Sequence, residues 1–450
     1  MPKCTDDKLD LGRLDLGRLD LGRLGRRVIE ADFSGGDLSC EGGALLLRRM
    51  DTRLGLSAAA ARALGDGRQP GKVRHDLASM LAQRVYGLCL GWADVCDHNA
   101  LRDDLVMQTA VGCDRTLASA PTLSRLETAA TPAQAWALHG VLLDTFIASR
   151  RCPRRGAPRE LVLDVDATHV PLHGAQERGF FHGYYDNYCY LPLYVFCGQD
   201  LLACVLRPSD RDPASVVTAL LQRLIGALRR VWPKVRIVVR GDSGFCRPRV
   251  LRRLDRWGVD YVLGLQKNTR LLQRTELAEL ALAEQYQARG IKQRSYGSFD
   301  YAAHSWDRSR RVIARLEHGP QGANPRFIVT SLSGDARYLY DKRYCGRGEA
   351  ENRIKEAQLD LFGRRASCHR FWANQLRLLL AALAYTLMIH LRRHALAGTE
   401  LAQACTATIR VKLLKIAAAI LRNTRRVRVL LASSHPMRTV FARAAQALAP

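Results

Sequence analysis

Between residues 160 and 265 the apolar positions change rhythm repeatedly, alternating by twos in short runs and recurring by threes and fours between them. The short runs predict strands over 161–166, 189–196, 201–206, 235–239 and 260–265. Cys197-Gly198-Gln199-Asp200 reads as the turn of a hairpin. A helix begins at Asp212-Pro213, cap and first-turn proline, and runs through Val216, Leu220, Leu221, Leu224 and Leu228, and another covers 248–257. The order β-β-β-α-β-α-β predicts an α/β sheet.

The flanks read differently. From 32 to about 155 the pattern is helical, with apolar-periodic runs at 43–49, 76–90, 117–126 and 133–149, ending in a basic, proline-containing linker over 150–159. Arginines at the turns (Arg74, Arg84, Arg102, Arg115, Arg125) suit a helical DNA-binding region; a helical cap packed on the later domain suits the same pattern. After the first part of the core (156–266), residues 267–333 hold a charged helix at 271–289 and β-type runs at 295–306, 311–316 and 326–331, read as a β-rich insertion. The second part of the core, 334–395, has a helix over 337–361 and a strongly apolar one over 371–393. The last stretch, 396–450, reads as helical and basic. Residues 1–31 contain three copies of Leu-Asp-Leu-Gly-Arg, a period that fits neither helix nor strand, and are expected to be a low-complexity tail without function.

Charge adds a partner. Lys and Arg number 69 against 43 Asp and Glu, a net charge of +26, which points to a polyanion, DNA or RNA before a membrane. The 13 cysteines form no Cys-x2-Cys pair, which argues against a zinc ribbon and suits a reducing cytosol. The most apolar run, 378–391, is short for a bilayer and contains His390, so a cytoplasmic protein without a membrane partner is expected.

Against this background the first strand is unusual. Alternation puts Asp164 and Asp166 on one face and Leu163 and Val165 on the other. Desolvating carboxylates is costly unless a cation or hydrogen bonds compensate, so the strand asks for a metal. Further acids are Asp242, after the 235–239 strand, and Glu351. On a regular helix Tyr344, Arg347, Glu351 and Gln358 would share one face, and Glu349 lies off it.

These pieces together resemble a known family. Asp166-Ala-Thr, Arg240-Gly-Asp-Ser-Gly-Phe245 and Tyr344-x2-Arg347-x3-Glu351 look like the DDE transposases of bacterial insertion sequences, with the closer likeness to the 1380 insertion-sequence family of the Tyr-Arg-Glu-Lys signature superfamily. Supporting blocks are His173-Gly-Ala-Gln-Glu177, Tyr190-Leu-Pro-Leu193, Leu206-Arg-Pro208, Gly91-Trp-Ala-Asp94, Asp97-His-Asn-Ala-Leu-Arg102, Thr122-Leu-Ser-Arg-Leu-Glu127, Ala373-Asn-Gln-Leu-Arg377 and Leu413-Leu-Lys415. The resemblance implies a ribonuclease-H-like core with Asp166, Asp242 and Glu351 as catalytic, metal-binding residues for two Mg²⁺ ions, Mn²⁺ being able to substitute. Asp164 is the alternative by strand parity. Tyr344 and Arg347 become expected DNA contacts. Gln358 stands where the pattern has Lys, keeping a donor and losing a charge; either Lys355 or a nearby arginine substitutes, or the copy is weakened. Trp306 in the insertion matches a base-stacking tryptophan, with core packing the plain alternative. His390 and His394 have zinc-pair spacing but no accompanying acid or cysteine, and read as a polar helix flank. Tyr184, Tyr185, Tyr188 and Tyr190, beside Arg178, read first as sheet and hairpin packing and second as a stacking surface.

The implied activity is cut-and-paste transposition on terminal inverted repeats and target DNA, by at least a dimer, in the bacterial cytoplasm and on the nucleoid when bound. Two alternatives are a ribonuclease-H-like nuclease without strand transfer and an inactive, transposase-derived DNA-binding protein.

Overall fold

A computed structural model describes residues 17–151, 156–212 and 214–449. The described part of the pentapeptide segment is not formless. It makes an exposed antiparallel hairpin of β1 (Leu19–Leu24) and β2 (Arg27–Ala31). Gly22, at φ 93, falls in a register shift between Asp20 and Arg23. The first copy of the repeat lies outside the described residues. The next strand, β3 (Leu38–Ser39), is short, and helices follow it as predicted: Ala44–Leu54, Leu56–Leu64, Leu77–Leu90, Ala120–Thr128 and Pro132–Arg150 among them.

The centre is one mixed sheet. Its chain begins with β4 (Glu160–Ala167), leaves for the small sheet of β5 (Val170–Pro171), β6 (Phe180–His182) and β7 (Asn187–Tyr190), and returns as β8 (Leu193–Cys197) and β9 (Asp200–Val205). The predicted single strand over 189–196 is therefore two strands in different sheets. Pro192, which has no N–H to give a ladder, sits at the break. Then come β10 (Arg236–Gly241), β11 (Asp260–Leu265), β12 (Gln293–Tyr301), β13 (Arg310–Gly319), β14 (Gly322–Ala323) and β15 (Arg326–Thr330). The sheet order is β12-β13-β15-β11-β10-β4-β8-β9, with β14 paired to β13. Strand β10 is parallel to both β4 and β11, and the other pairings are antiparallel. The strands predicted as an insertion thus extend the central sheet rather than folding apart, because β15 pairs directly with β11.

Alternation along β4 divides the interior. Leu161, Leu163 and Val165 pack into a core with the helices Val217–Val231, Pro248–Arg256 and Thr269–Arg289. Helix Val217–Val231 starts later than predicted: Asp212 caps a preceding turn, accepting from the Ala214 N–H at 2.6 Å, and Pro213 lies outside the described residues. The opposite face carries Asp164 and Asp166, and the helical run over 336–360 packs against its neighbours Val238, Val262 and Ile328 through Leu339 and Tyr340.

The second large core unites the N-terminal helices with Phe371–Ala395. That helix is long and apolar enough to cross a membrane, but 94% of its apolar window is buried inside the protein. His390 accordingly belongs to the core at 1% exposure, not to a polar flank, and stacks on exposed His394 at 5.6 Å. Four of the sequence blocks singled out above converge here. Asp94 accepts from Arg365 at 2.5 Å and Arg377 at 3.0 Å, Glu127 pairs with Arg84 at 2.9 Å, and Arg84 reaches His98 at 2.9 Å. Burial first, then the Arg84 charge, pushes His98 down to about 3, so it accepts as a neutral ring.

The C-terminal region is helical at Thr406–Ile409, Arg410–Leu414 and Arg438–Ala447, as expected, but not between the last two. Strands β16 (Ala418–Arg422) and β17 (Val427–Leu431) form a hairpin, and β16 pairs with β3. The partner strand lies at the far end of the chain, so no local pattern could announce the pairing.

Candidate functional site

Parallel pairing sets the two aspartates side by side. Gly241, the last residue of β10, is registered with Val165 of β4, so Asp166 and Asp242 leave adjacent strands at the same carboxyl edge. Asp166 is 8% exposed. Asp242 is half-buried and caps the short turn Ser243–Phe245, its Oδ1 accepting from the Gly244 N–H at 2.9 Å.

The third acid comes from the helical run. Arg347 Nη2 reaches Glu351 Oε1 at 2.7 Å, one turn on, and Nη1 reaches Asp166 Oδ2 at 3.3 Å. One guanidinium thereby ties the helix acid to the strand acid. Burial, outweighing the opposing Arg347, holds the Asp166 carboxyl up at about 7, with the Asp242 and Glu351 charges adding to the rise. Tyr344 is held above its ordinary value by burial, with Arg347 opposing and Asp242 reinforcing the shift.

Asp164, the alternative by parity, is already neutralised. It is 4% exposed and receives a two-pronged contact from Arg240, whose Nη2 lies 2.8 Å from Oδ2. Arg240 also donates to the Arg343 carbonyl at 2.6 Å, so it fastens the helical run to the sheet. Sequence reasoning passed over Arg240, although it immediately precedes the Gly-Asp step and lies opposite Asp164 in the register.

The remaining candidates scatter. Lys355 is exposed and makes no ion pair among the described residues. Gln358 is 8% exposed and turned inward, its Oε1 3.5 Å from the Thr168 hydroxyl. The reason is a π-turn over Glu356–Asp360. Its wider turn rotates position 358 off the face that about 3.6 residues per turn would assign. Trp306 is half-buried, edge-on to Tyr301 at 5.6 Å with the Arg310 guanidinium 5.5 Å from its ring. It is not among the side chains gathered at the acids.

Among the described residues no three His, Cys, Asp or Glu side chains close up into a ready metal cage. The donor set nonetheless fits a hard divalent cation: oxygen ligands only, and burial with the acidic neighbours raises the Asp166 carboxyl to about 7, a rise that a bound cation would reverse. Arg347 supplies the positive charge between Asp166 and Glu351. In metal-free protein, Arg347→Ala is expected to cost about 1–3 kcal/mol of stability by stripping the acids of that partner. Urea unfolding measures the loss, and added divalent cation should recover part of it.

Gly264 explains how closely the site is built. A Cβ there would lie 2.7 Å from the Tyr344 hydroxyl, 2.8 Å from the Ser243 nitrogen and 3.1 Å from the Asp242 carbonyl carbon. Gly264→Ala therefore displaces both Tyr344 and Asp242. Misplacement on this scale is expected to slow metal-dependent chemistry at these acids by roughly a hundredfold while leaving the fold intact, as a rate assay beside circular dichroism would report.

The sequence matches the family model of the transposase DDE domain, group 1, over residues 21–450. The chain belongs to that family. The family's chemistry is phosphoryl transfer on nucleic acid, generally with divalent metal ions, and its members act on DNA. A comparison with curated proteins gave no match.

Proposed function

We propose that this protein is a cut-and-paste transposase of a bacterial insertion sequence, working through a ribonuclease-H-like core in which Asp166, Asp242 and Glu351 hold two Mg²⁺ ions. The observation that supports it best is the meeting of one acid from each of two adjacent parallel strands with a third from the helical run, tied to Asp166 by Arg347. Bound divalent ions would supply water or 3′-hydroxyl activation and stabilise the leaving oxygen of an in-line transfer.

The chain's own groups do the rest. Asp242 keeps one oxygen on the Gly244 N–H, which fixes its carboxylate. Arg347, with Tyr344 beside it, is the proposed contact to a phosphate at the DNA end once a cation takes over Asp166 and Glu351. Lys355, exposed on the same helical run, offers charge to the backbone next to that end. The region 32–155 and the basic C-terminus, with Arg422, Arg425, Arg426 and Arg428 on or beside its hairpin, are the proposed inverted-repeat contacts. Two ends must be held at once, so a dimer or larger assembly on DNA is part of the proposal.

Incubation of the protein with DNA carrying the element's own ends, with and without Mg²⁺, tests it. Cleaved ends joined to target DNA are expected. Cleavage without joining would leave a nuclease, and binding without cleavage a DNA-binding protein.

A further inference from the structure

Next to the acids stands a surface that neither packing nor the metal site uses. Four residues after Asp166, the chain enters the small sheet β5-β7-β6. The hairpin β6–β7 projects from it with its aromatic side chains turned outward. Tyr184 is 85% exposed, Tyr188 58% and Phe181 54%. Phe181 and Tyr188 face each other across the strands at 5.7 Å, and Tyr184 sits edge-on to Tyr185 at 5.0 Å. Tyr190, by contrast, is wholly buried, so the four tyrosines divide between core and surface.

The hairpin is anchored to the site. Tyr185 stacks on His169 at 4.3 Å and 14°. His169 is three residues from Asp166, a reach of at most about 11 Å along the chain. Asp166 and Asp242 are also among the charges that act on Tyr185, after its burial and the Tyr184 contribution. Exposing several large rings beside a catalytic centre is unfavourable in water unless a partner covers them. In a chain of net charge +26, that partner is nucleic acid. Within a duplex the base faces are already stacked, so rings of this kind engage only a base that has left the stack.

We propose that hairpin β6–β7, through Tyr184, Tyr188 and Phe181, is a stacking platform for an unpaired base beside the scissile phosphate. The inference rests on the transposase reading above. It also assigns to this hairpin the role that the sequence suggested for Trp306, whose ring is engaged by Tyr301 and Arg310.

The test uses the full chain with chelator, so that no chemistry intervenes. The probes are a short oligothymidylate carrying one 5-iodouracil and its duplex with oligodeoxyadenylate. Photo-crosslinking is expected to label the 180–188 segment. Tyr184→Ala with Tyr188→Ala should weaken the single strand by about tenfold and the duplex by less than about twofold, since base stacking is worth roughly 1–3 kcal/mol per base. Tyr184→Phe with Tyr188→Phe keeps the rings and should bind as the parent does. Crosslinks at Trp306 instead, equal losses on both probes, or no loss would overturn the platform while leaving the transposase reading standing. A parent protein that bound neither probe would overturn the platform, and failure to bind DNA carrying the element's own ends as well would overturn the transposase reading.

Discussion

Asp242→Ala is expected to reduce DNA strand cleavage by at least about a thousandfold while leaving the fold and end binding largely intact. A metal-binding carboxylate contributes several kcal/mol of transition-state stabilisation, and about 4 kcal/mol corresponds to that factor. Asp242 is the cleanest of the three acids to remove. Its side chain has no ion-pair partner among the described residues, and its one structural bond is the turn cap to the Gly244 N–H. Losing such a cap costs about 1 kcal/mol. Removing Asp166 or Glu351 would instead release Arg347 and confuse chemistry with packing. Gel analysis of cleaved ends in Mg²⁺, beside a binding measurement in chelator, separates the two effects. Cleavage at the parent rate would take Asp242 out of the site.

How much of this was legible beforehand differs by kind of feature. The acid face of β4 was readable because strand alternation is strict: once Leu163 and Val165 face the core, Asp164 and Asp166 must share the other side. Choosing between those two was not readable from parity. It depends on Arg240, a residue 76 positions from Asp164, which takes Asp164 for itself. Gln358 turns inward for a local reason, since π-turns at Leu339–Tyr344 and Glu356–Asp360 interrupt the regular period from which a shared face is predicted. The C-terminal hairpin and the merging of the 267–333 strands with the central sheet needed pairings between distant segments, which hydrophobic rhythm does not encode.

The same comparison explains the sequence blocks that carry no obvious chemistry. Glu177 accepts from the Phe371 N–H at 2.9 Å, Gln375 accepts from the Leu206 N–H at 2.6 Å, and Arg377 joins Asp94. Each fastens the long helix Phe371–Ala395 to another part of the chain. That helix packs against the N-terminal helices and against Phe196 and Cys204 of the central sheet. The blocks thus support the frame within which β4 and β10 present their acids.

Asp166 makes a second large prediction, in which the group's own burial opposes folding as pH rises. Between its ordinary value of 3.8 and about 7, the unfolded chain has released the Asp166 proton while the folded protein retains it. Folding then takes up a proton, so the Asp166 contribution to stability falls across this window, by a total on the order of 4 kcal/mol. His98 and His390, pushed down to about 3 and about 4 chiefly by burial, act in the opposite sense, because the unfolded chain binds protons that these rings refuse when folded. The wild-type pH profile alone therefore mixes the two. The informative quantity is the difference between Asp166→Asn and wild type, both in chelator. Its urea-unfolding free energy should move in favour of the variant from about pH 4 to about pH 7, and level off above. Divalent cation should offset much of the effect, since a cation that binds only the folded site at a hundred times its Kd adds about 2.7 kcal/mol to the wild type. A difference that stayed flat across the window would mean that Asp166 is ionised throughout, and that Arg347 alone suffices to hold its charge.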